Sequence, residues 1–236
     1  MVEIIEKLQR SKSSKLCPSA NPAVIAKLDK ELTFLPKMHT DMLKAANGLS
    51  VYHGYLRLFG LGCKDCTDIL WWNDPETWKF AWNLDLSKYL CFAEDGWGYQ
   101  WAYNLDDLRN KGTSKIYRLA AYIMKIRELE DSFEGFVKNE LIRWLTDPYF
   151  EDTVKACQKY GALDWNTHIA YTPSLILGGV DGDIEHTMKL PSQTNMIFNG
   201  DAFVQAGKER VDRKLKGIET YKDQKSRPRL RVLFEK

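Results

Sequence analysis

The sequence lacks a long apolar run, and this absence argues against an integral membrane protein. No stretch of about 18 apolar residues occurs among its 236 residues, so we expect no membrane-spanning helix. Residues 1–15 contain no apolar segment of the kind that a signal peptide requires, so we expect no secretory leader. Five cysteines are few for this length, and their odd number is typical of free thiols in the cytoplasm rather than of a disulfide framework.

A strong net charge is also missing. The chain carries 34 basic and 32 acidic residues, a net charge of +2, and is 44% hydrophobic, which is enough for one packed core. The charges are unevenly placed: residues 60–110 carry nine acids and four bases, or −5, whereas residues 201–236 carry eleven bases and six acids, or +5. A basic end of this kind is usually a solvated surface, so we expect no direct contact with nucleic acid.

Signatures of nucleotide binding and of nucleophilic catalysis are absent as well. Gly60-Leu61-Gly62 and Gly96-Trp97-Gly98 each begin a G-x-G pattern, but neither has the third glycine that a dinucleotide loop needs. No G-x-S-x-G elbow occurs, and the four histidines show no H-x-x-x-H spacing. We therefore expect no cofactor and no nucleophilic triad.

Two features remain as candidates for chemistry. Cys63 and Cys66 have the C-x-x-C spacing, but a structural zinc ion needs four ligands and no second pair is present, so we expect free thiols and no metal. The acidic pairs Glu94-Asp95 and 106–107 flank one predicted hairpin, and two carboxyl groups across a cleft are what a glycosidase requires. Adjacent acids are also common turn residues, so a carboxylate-dependent hydrolase is the alternative rather than the main hypothesis.

Hydrophobic periodicity predicts helices interrupted by a block of strands, which is typical of an α+β fold. We expect a single domain with a central, twisted, mostly antiparallel sheet of about six strands and helices packed on it. The expected helices are 22–32, 35–47, 133–145 and 148–160. The expected strands are 55–62, 67–73, 88–95, 99–105, one or two within 115–126, 188–198 and 229–235. The lysine-rich stretch 207–229 is expected to be an exposed loop or helix.

The hairpin predicted between residues 88 and 105 is the most informative segment. Alternation places Trp101 and Tyr103 on one face of their strand, where aromatic residues are more often core than contact surface. Asp95 and Trp97 lie in the turn, where we expect them to be exposed.

The ordered set of these stretches resembles the SUKH superfamily, the Smi/Knr type of domain. The matching residues are Leu35-Pro36, Asn47-Gly48, Phe92-Ala93, Asp95-Gly96, Gly98 and Tyr103, followed by TPSLILGG at 172–179. The resemblance covers roughly residues 22–180. We therefore expect an N-terminal helix and connector at 1–20, a SUKH-like α+β domain at 21–180, and a C-terminal extension packed on it at 181–236.

The resemblance implies a non-enzymatic binding protein. Bacterial members of the family resemble immunity proteins, which neutralise a toxin in the cytoplasm, and fungal members resemble regulatory scaffolds of cell-wall synthesis. The expected partner is a cognate protein toxin, with a nuclease as one candidate class, and no membrane contact is expected. We expect the acids to line one rim of the sheet and the contact residues to be Asp95, Trp97, Asp106, Asp107, Trp71, Trp72 and Asp74.

Overall fold

The computed structural model describes residues 1–129, 132–148, 150–207 and 214–235. Seven strands form one sheet in which every strand is antiparallel to the next strand along the chain, so the sheet needs no crossover connection. They are β1 (Lys15–Leu16), β2 (Leu49–Val51), β3 (Leu56–Leu58), β4 (Tyr89–Asp95), β5 (Gln100–Asn104), β6 (Ile116–Ala120) and β7 (Lys125–Leu129). The predicted α+β class is confirmed, with seven strands in the main sheet instead of about six.

Two further antiparallel hairpins follow the sheet in the chain. The first pairs β8 (Thr167–Tyr171) with β9 (Thr187–Pro191), and the second pairs β10 (Leu215–Lys222) with β11 (Pro228–Phe234). The α-helices of the described residues are α1 (Val2–Arg10), α2 (Pro22–Glu31), α3 (Lys37–Ala45), α4 (Ile69–Asn73), α5 (Leu105–Lys111), α6 (Phe133–Phe136), α7 (Glu151–Tyr160) and α8 (Ser192–Ala206). A π-helical turn at Val137–Leu141 and a 3₁₀ turn at Arg143–Leu145 extend α6 along the predicted helical stripe.

Several elements begin at the residues that the sequence indicates. The side chain of Asn21 accepts a hydrogen bond from the Val24 N–H, and Pro22 occupies the first position of α2. Helix α3 ends at Ala45, and Gly48 follows with φ of +98°, a conformation that favours glycine.

The core lies on both faces of the main sheet, because successive residues of β5 point to opposite sides. On one face Tyr103 stacks on Phe92 with ring centroids 4.4 Å apart, and Phe133 of α6 lies against the same cluster. On the other face Gln100 meets Trp72 of α4 through a hydrogen bond of 2.7 Å. The predicted core position of Tyr103 and of Trp101 agrees with their burial.

Three predicted elements differ from the structure. Residues 67–73 were expected to form a strand, but α4 forms there because the Asp68 side chain accepts hydrogen bonds from the N–H groups of Leu70 and Trp71. The expected strand at 188–198 is β9 followed by the first part of α8. Within the described part of the lysine-rich stretch, residues 215–222 form the exposed strand β10 rather than a loop or helix.

The C-terminal residues pack against the rest of the chain through α8. The indole Nε1–H of Trp82 donates to the Met196 carbonyl at 2.9 Å, and Asp201 accepts a hydrogen bond from Arg229 Nε at 2.8 Å. In the described parts of the chain, every helix falls short of the length and apolarity needed to cross a bilayer.

Candidate functional site

The turn between β4 and β5 is built by the Asp95 side chain. Its Oδ1 accepts hydrogen bonds from the N–H groups of Trp97 and Tyr99, at 2.9 and 3.0 Å. Gly98 adopts φ of +94°, and a Cβ atom there would lie 3.2 Å from His168 Nδ1. The turn is therefore closed by a carboxylate and tightly packed against β8.

Immediately before this turn lies a fully buried ionic network centred on Glu94. Its carboxylate contacts Arg57 Nη2 at 3.2 Å, His168 Nε2 at 3.1 Å and Gln100 Nε2 at 3.2 Å. Arg57 also donates to the carbonyl oxygens of Asp164 and Thr167, at 2.7 and 2.9 Å. The network joins the main sheet to the segment that leads into β8.

The protonation states of this network follow from its contacts. Burial alone would raise the pKa of Glu94, but the opposing effects of Arg57, His168 and Gln100 outweigh it and hold that pKa below its ordinary value. Burial lowers the pKa of His168, although Glu94 opposes the change. We therefore assign an ionised Glu94 paired with Arg57, and a neutral His168 that donates from Nε2 and accepts at Nδ1 from Asn195.

Asp95 faces a different environment from its neighbour Glu94. It lines a cavity of about 110 Å³, which we call the turn cavity. The residues around it are Asp95, Trp97, Tyr99, Tyr122, Phe150, Asp152, Tyr171, Leu175 and Asp181. Oδ1 of Asp95 holds the turn, whereas Oδ2 accepts no hydrogen bond from any residue that the structure describes. One carboxylate oxygen is therefore available to a group that enters the cavity.

Aromatic rings form the walls of the turn cavity. Trp97 and Tyr171 stack with centroids 5.1 Å apart, and Tyr122 meets Tyr171 edge-on at 5.8 Å. The Trp97 indole N–H donates to Thr153 of α7 at 3.1 Å, and the Tyr171 hydroxyl donates to Asp181 at 3.4 Å. The walls are thus positioned by the turn, by α7 and by β8.

Three carboxyl groups, those of Asp95, Asp152 and Asp181, line this cavity. Burial raises the pKa of Asp95 to about 7, because the two backbone hydrogen bonds and the nearby Arg118 and Arg57 compensate only in part. Burial and the nearby Asp181 also raise the pKa of Asp152. A cation in the cavity would favour the ionised form of Asp95.

The expectation that Asp95 and Trp97 are exposed is wrong, since their exposed fractions are 1% and 5%. The segments that follow α6 cover the turn: the Ile169 N–H donates to the Gly96 carbonyl at 2.7 Å, and a Cβ atom on Gly96 would lie 2.8 Å from Leu163. Only tertiary packing brings these segments to the turn.

The expected single acidic rim is also wrong. The register of β4 and β5 pairs Glu94 with Gln100 at one end and Tyr89 with Asn104 at the other. Asn104 caps α5, whose first turn contains the acids at 106 and 107, so these two acids lie at the far end of the hairpin from Asp95. Asp107 forms an ion pair of 2.7 Å with Lys111.

The remaining predicted contact residues lie on α4 and at its end. Trp71 is half exposed and Asp74 is exposed, but Trp72 is buried among aromatic rings. Trp71 lines a second cavity of about 630 Å³, which we call the α4 cavity, together with residues 63–68 and 164–166.

The free-thiol prediction for Cys63 and Cys66 is wrong as well, because the two residues form a disulfide with Cα atoms 5.5 Å apart. The C-x-x-C loop folds back on itself ahead of α4, and this geometry brings the two side chains together. Sequence reasoning also missed Asp152, Tyr171 and Asp181, which carry no local pattern and reach the site only through the fold.

No protein-family model and no curated protein sequence matches the chain. Among solved structures, the chain is similar to the crystal structure of Atu4351 from Agrobacterium tumefaciens, with 14% sequence identity and a TM-score of 0.54. The likeness covers 98% of this chain and 97% of that chain. At this level of identity the likeness concerns the fold alone.

Proposed function

We propose that this protein is a non-enzymatic binding protein of the bacterial immunity type, which neutralises a cognate protein toxin in the cytoplasm by direct contact. The observation that carries the proposal is the turn cavity, where Asp95 presents, between aromatic walls, a carboxylate oxygen that accepts no hydrogen bond from the part of the chain that the structure describes. The resemblance of the β4–β5 hairpin to the SUKH superfamily supports the same function.

The size of the turn cavity favours a single side chain over a small-molecule substrate. Small-molecule sites usually measure about 300–1,000 Å³, whereas this cavity measures about 110 Å³. The end of one arginine or lysine side chain is a group of suitable size, and its charge complements Asp95, Asp152 and Asp181. Aromatic walls add cation–π attraction of about 0.5–2 kcal/mol.

The two acidic pairs considered from the sequence do not face each other across a cleft, and the turn cavity, where Asp95 does meet Asp152 and Asp181, is smaller than a small-molecule site. A carboxylate-dependent hydrolase needs two carboxyl groups that face each other across a cleft. Glu94 is engaged by Arg57 and His168, while Asp95 lies on the turn cavity. The pair at 106–107 lies at the opposite end of the hairpin.

A nuclease is the toxin class that this cavity suits best. Nucleases bind phosphates through arginine and lysine side chains, and such side chains are the groups that an acidic cavity can capture. Complementary charge also steers the approach of two proteins, so the association rate should fall as salt is added.

The test uses the product of the gene directly upstream as the candidate toxin. The two chains are co-expressed in a heterologous bacterium, growth is recorded, and the affinity of the purified pair is measured for the wild type and Asp95→Asn. Loss of a charge-assisted hydrogen bond is worth about 1.5–3 kcal/mol, so Asp95→Asn should raise Kd by about 10- to 100-fold. Asp106→Asn is the matched control, because it removes one exposed charge far from the cavity.

The outcomes separate the two parts of the proposal. Rescue of growth by the wild-type chain would support the proposed function. If Asp95→Asn then weakens binding and Asp106→Asn does not, the result would also support the turn cavity as the contact. Equal weakening by both variants would show that net charge, and not the turn cavity, drives association. Absence of rescue and of complex formation by the wild-type chain would overturn the proposed function for that partner.

A further inference from the structure

Three cysteine sulfurs lie together at the edge of the α4 cavity. The sulfur atoms of Cys17, Cys63 and Cys66 are all within 4.8 Å of one another, although Cys17 is 46 positions away from Cys63 in the sequence. The prediction that Cys63 and Cys66 bind no metal rested on the two cysteine sulfurs of the C-x-x-C pair. The fold supplies a third.

The backbone around Cys66 is shaped to accept its sulfur. A Cβ atom on Gly48 would lie 2.7 Å from Cys66 Sγ, and one on Gly60 would lie 2.6 Å from it, so both positions leave room only for hydrogen. The Asn47 side chain exchanges two hydrogen bonds of 2.8 Å with the backbone of Leu61, which holds the start of the loop in place. This niche is built from backbone atoms and from the Asn47 side chain.

Cys17 is brought to the same niche by the first strand. Leu16 pairs with Leu49 in the β1–β2 ladder, and the Cys17 N–H continues that ladder by donating to the Gly48 carbonyl at 2.9 Å. The side chain of Cys17 is 6% exposed. The third sulfur therefore belongs to a residue that directly follows β1 and is held by a backbone hydrogen bond.

We propose that Cys17, Cys63 and Cys66 form a three-thiolate site for a thiophilic metal ion, of which Zn²⁺ is the reference case, when the Cys63–Cys66 disulfide is reduced. With Zn–S bonds of about 2.3 Å, tetrahedral thiolate sulfurs lie about 3.8 Å apart, which is compatible with the observed cluster. The C-x₂-C spacing is also typical of zinc loops. Thiolates select Zn²⁺ or Cu⁺ over ions that prefer oxygen ligands.

A dithiol reductant supplies two electrons and two protons to the Cys63–Cys66 disulfide and is itself oxidised to a disulfide, which leaves three thiols in the niche. The metal ion then displaces the three thiol protons, which pass to solvent. Cys63 and Cys66 line the α4 cavity, so the fourth coordination position opens on that side. The three sulfurs leave one position of a tetrahedral set, which a water molecule fills.

The experiment uses the full chain, reduced with dithiothreitol and freed of reductant under anaerobic conditions. Co²⁺ serves as the optical probe, because tetrahedral cobalt thiolates show visible d–d bands and a near-ultraviolet sulfur-to-cobalt charge-transfer band. We expect one Co²⁺ per chain, displacement by one equivalent of Zn²⁺, and no such spectrum from the oxidised protein. Cys17→Ser and Cys63→Ser should each weaken Zn²⁺ binding at least 100-fold, whereas Cys157→Ser, which changes a free thiol outside the three-sulfur cluster, should leave it unchanged.

Two results would overturn the assignment. The first is a reduced wild-type protein that shows no thiolate–cobalt band. The second is a Cys17→Ser variant with wild-type affinity and band intensity, which would mean that the C-x-x-C pair acts without the third sulfur. Circular dichroism checks that each variant is folded. If Cys17→Ser unfolds the chain because Cys17 is buried, Cys63→Ser still tests the site, because Cys63 is only half-buried.

Discussion

Replacing Asp95 by asparagine should stabilise the protein at neutral and alkaline pH while weakening partner binding. The amide oxygen can still accept the N–H groups of Trp97 and Tyr99, so the turn should be retained. The substitution removes a charge that burial disfavours, since Asp95 as a residue is 1% exposed. A stability gain of this kind at a binding site is a common consequence of keeping a functional charge in a buried place.

The magnitude follows from the pKa of Asp95, which burial raises from 3.8 to about 7. Between these two values the folded chain holds a proton at Asp95 that the unfolded chain has lost, so stability falls as pH rises through this window. About three pH units at 1.36 kcal/mol each give a penalty of about 4 kcal/mol above pH 7. Asp95→Asn should therefore be more stable than the wild type by up to about 4 kcal/mol at pH 8 and nearly equal to it at pH 4.

The assay is urea unfolding of both proteins at several pH values from 4 to 8. Urea is preferred because guanidinium is itself a cation of the kind that we expect the turn cavity to bind, and amine buffers should be avoided for the same reason. The difference between the two proteins isolates Asp95 from the other titrating groups near the cavity, such as Asp152. A difference that stays constant from pH 4 to pH 8 would refute the assignment of a raised pKa to Asp95.

Three further substitutions test the supporting structure. Arg57→Met should destabilise the protein by about 3–5 kcal/mol in urea unfolding, because it leaves the Glu94 carboxylate buried without its cation, and a loss below about 1 kcal/mol would contradict the assigned network. Gly48→Val should lower Tm by several degrees, because φ of Gly48 is +98° and a Cβ atom at this position would lie 2.7 Å from the Cys66 sulfur. An unchanged Tm would refute the close packing between Gly48 and Cys66. Asp201→Ala should speed tryptic cleavage within 214–235 because the C-terminal hairpin loses its charged anchor, and cleavage at the wild-type rate would show that this anchor is dispensable.

Local patterns were sufficient to predict the hairpin and most helices. The run from 88 to 105 alternates around a glycine turn, and Asn21-Pro22 marks the start of α2 by its own side-chain and ring chemistry. The segment 67–73 was misread because its alternation resembles a strand, whereas Asp68 satisfies the first backbone N–H groups of a helix. In this short segment, the hydrogen bonds accepted by the Asp68 side chain decided the backbone conformation, and the alternation of apolar residues did not.

The candidate sites depended on contacts between residues that are distant in the sequence. Asp95 and Trp97 look like exposed turn residues until the segment from α7 to β8 covers them, and burial then changes the charge state of Asp95. Cys17 carries no signal of its own, and only the register of β1 on β2 places its sulfur beside the C-x-x-C loop. The sequence by itself determined the hairpin turn and the C-x-x-C spacing, because both are set by neighbouring residues. The tertiary structure alone decided which carboxylate faces a cavity and which third sulfur joins the pair, because strand register and packing act over many tens of residues.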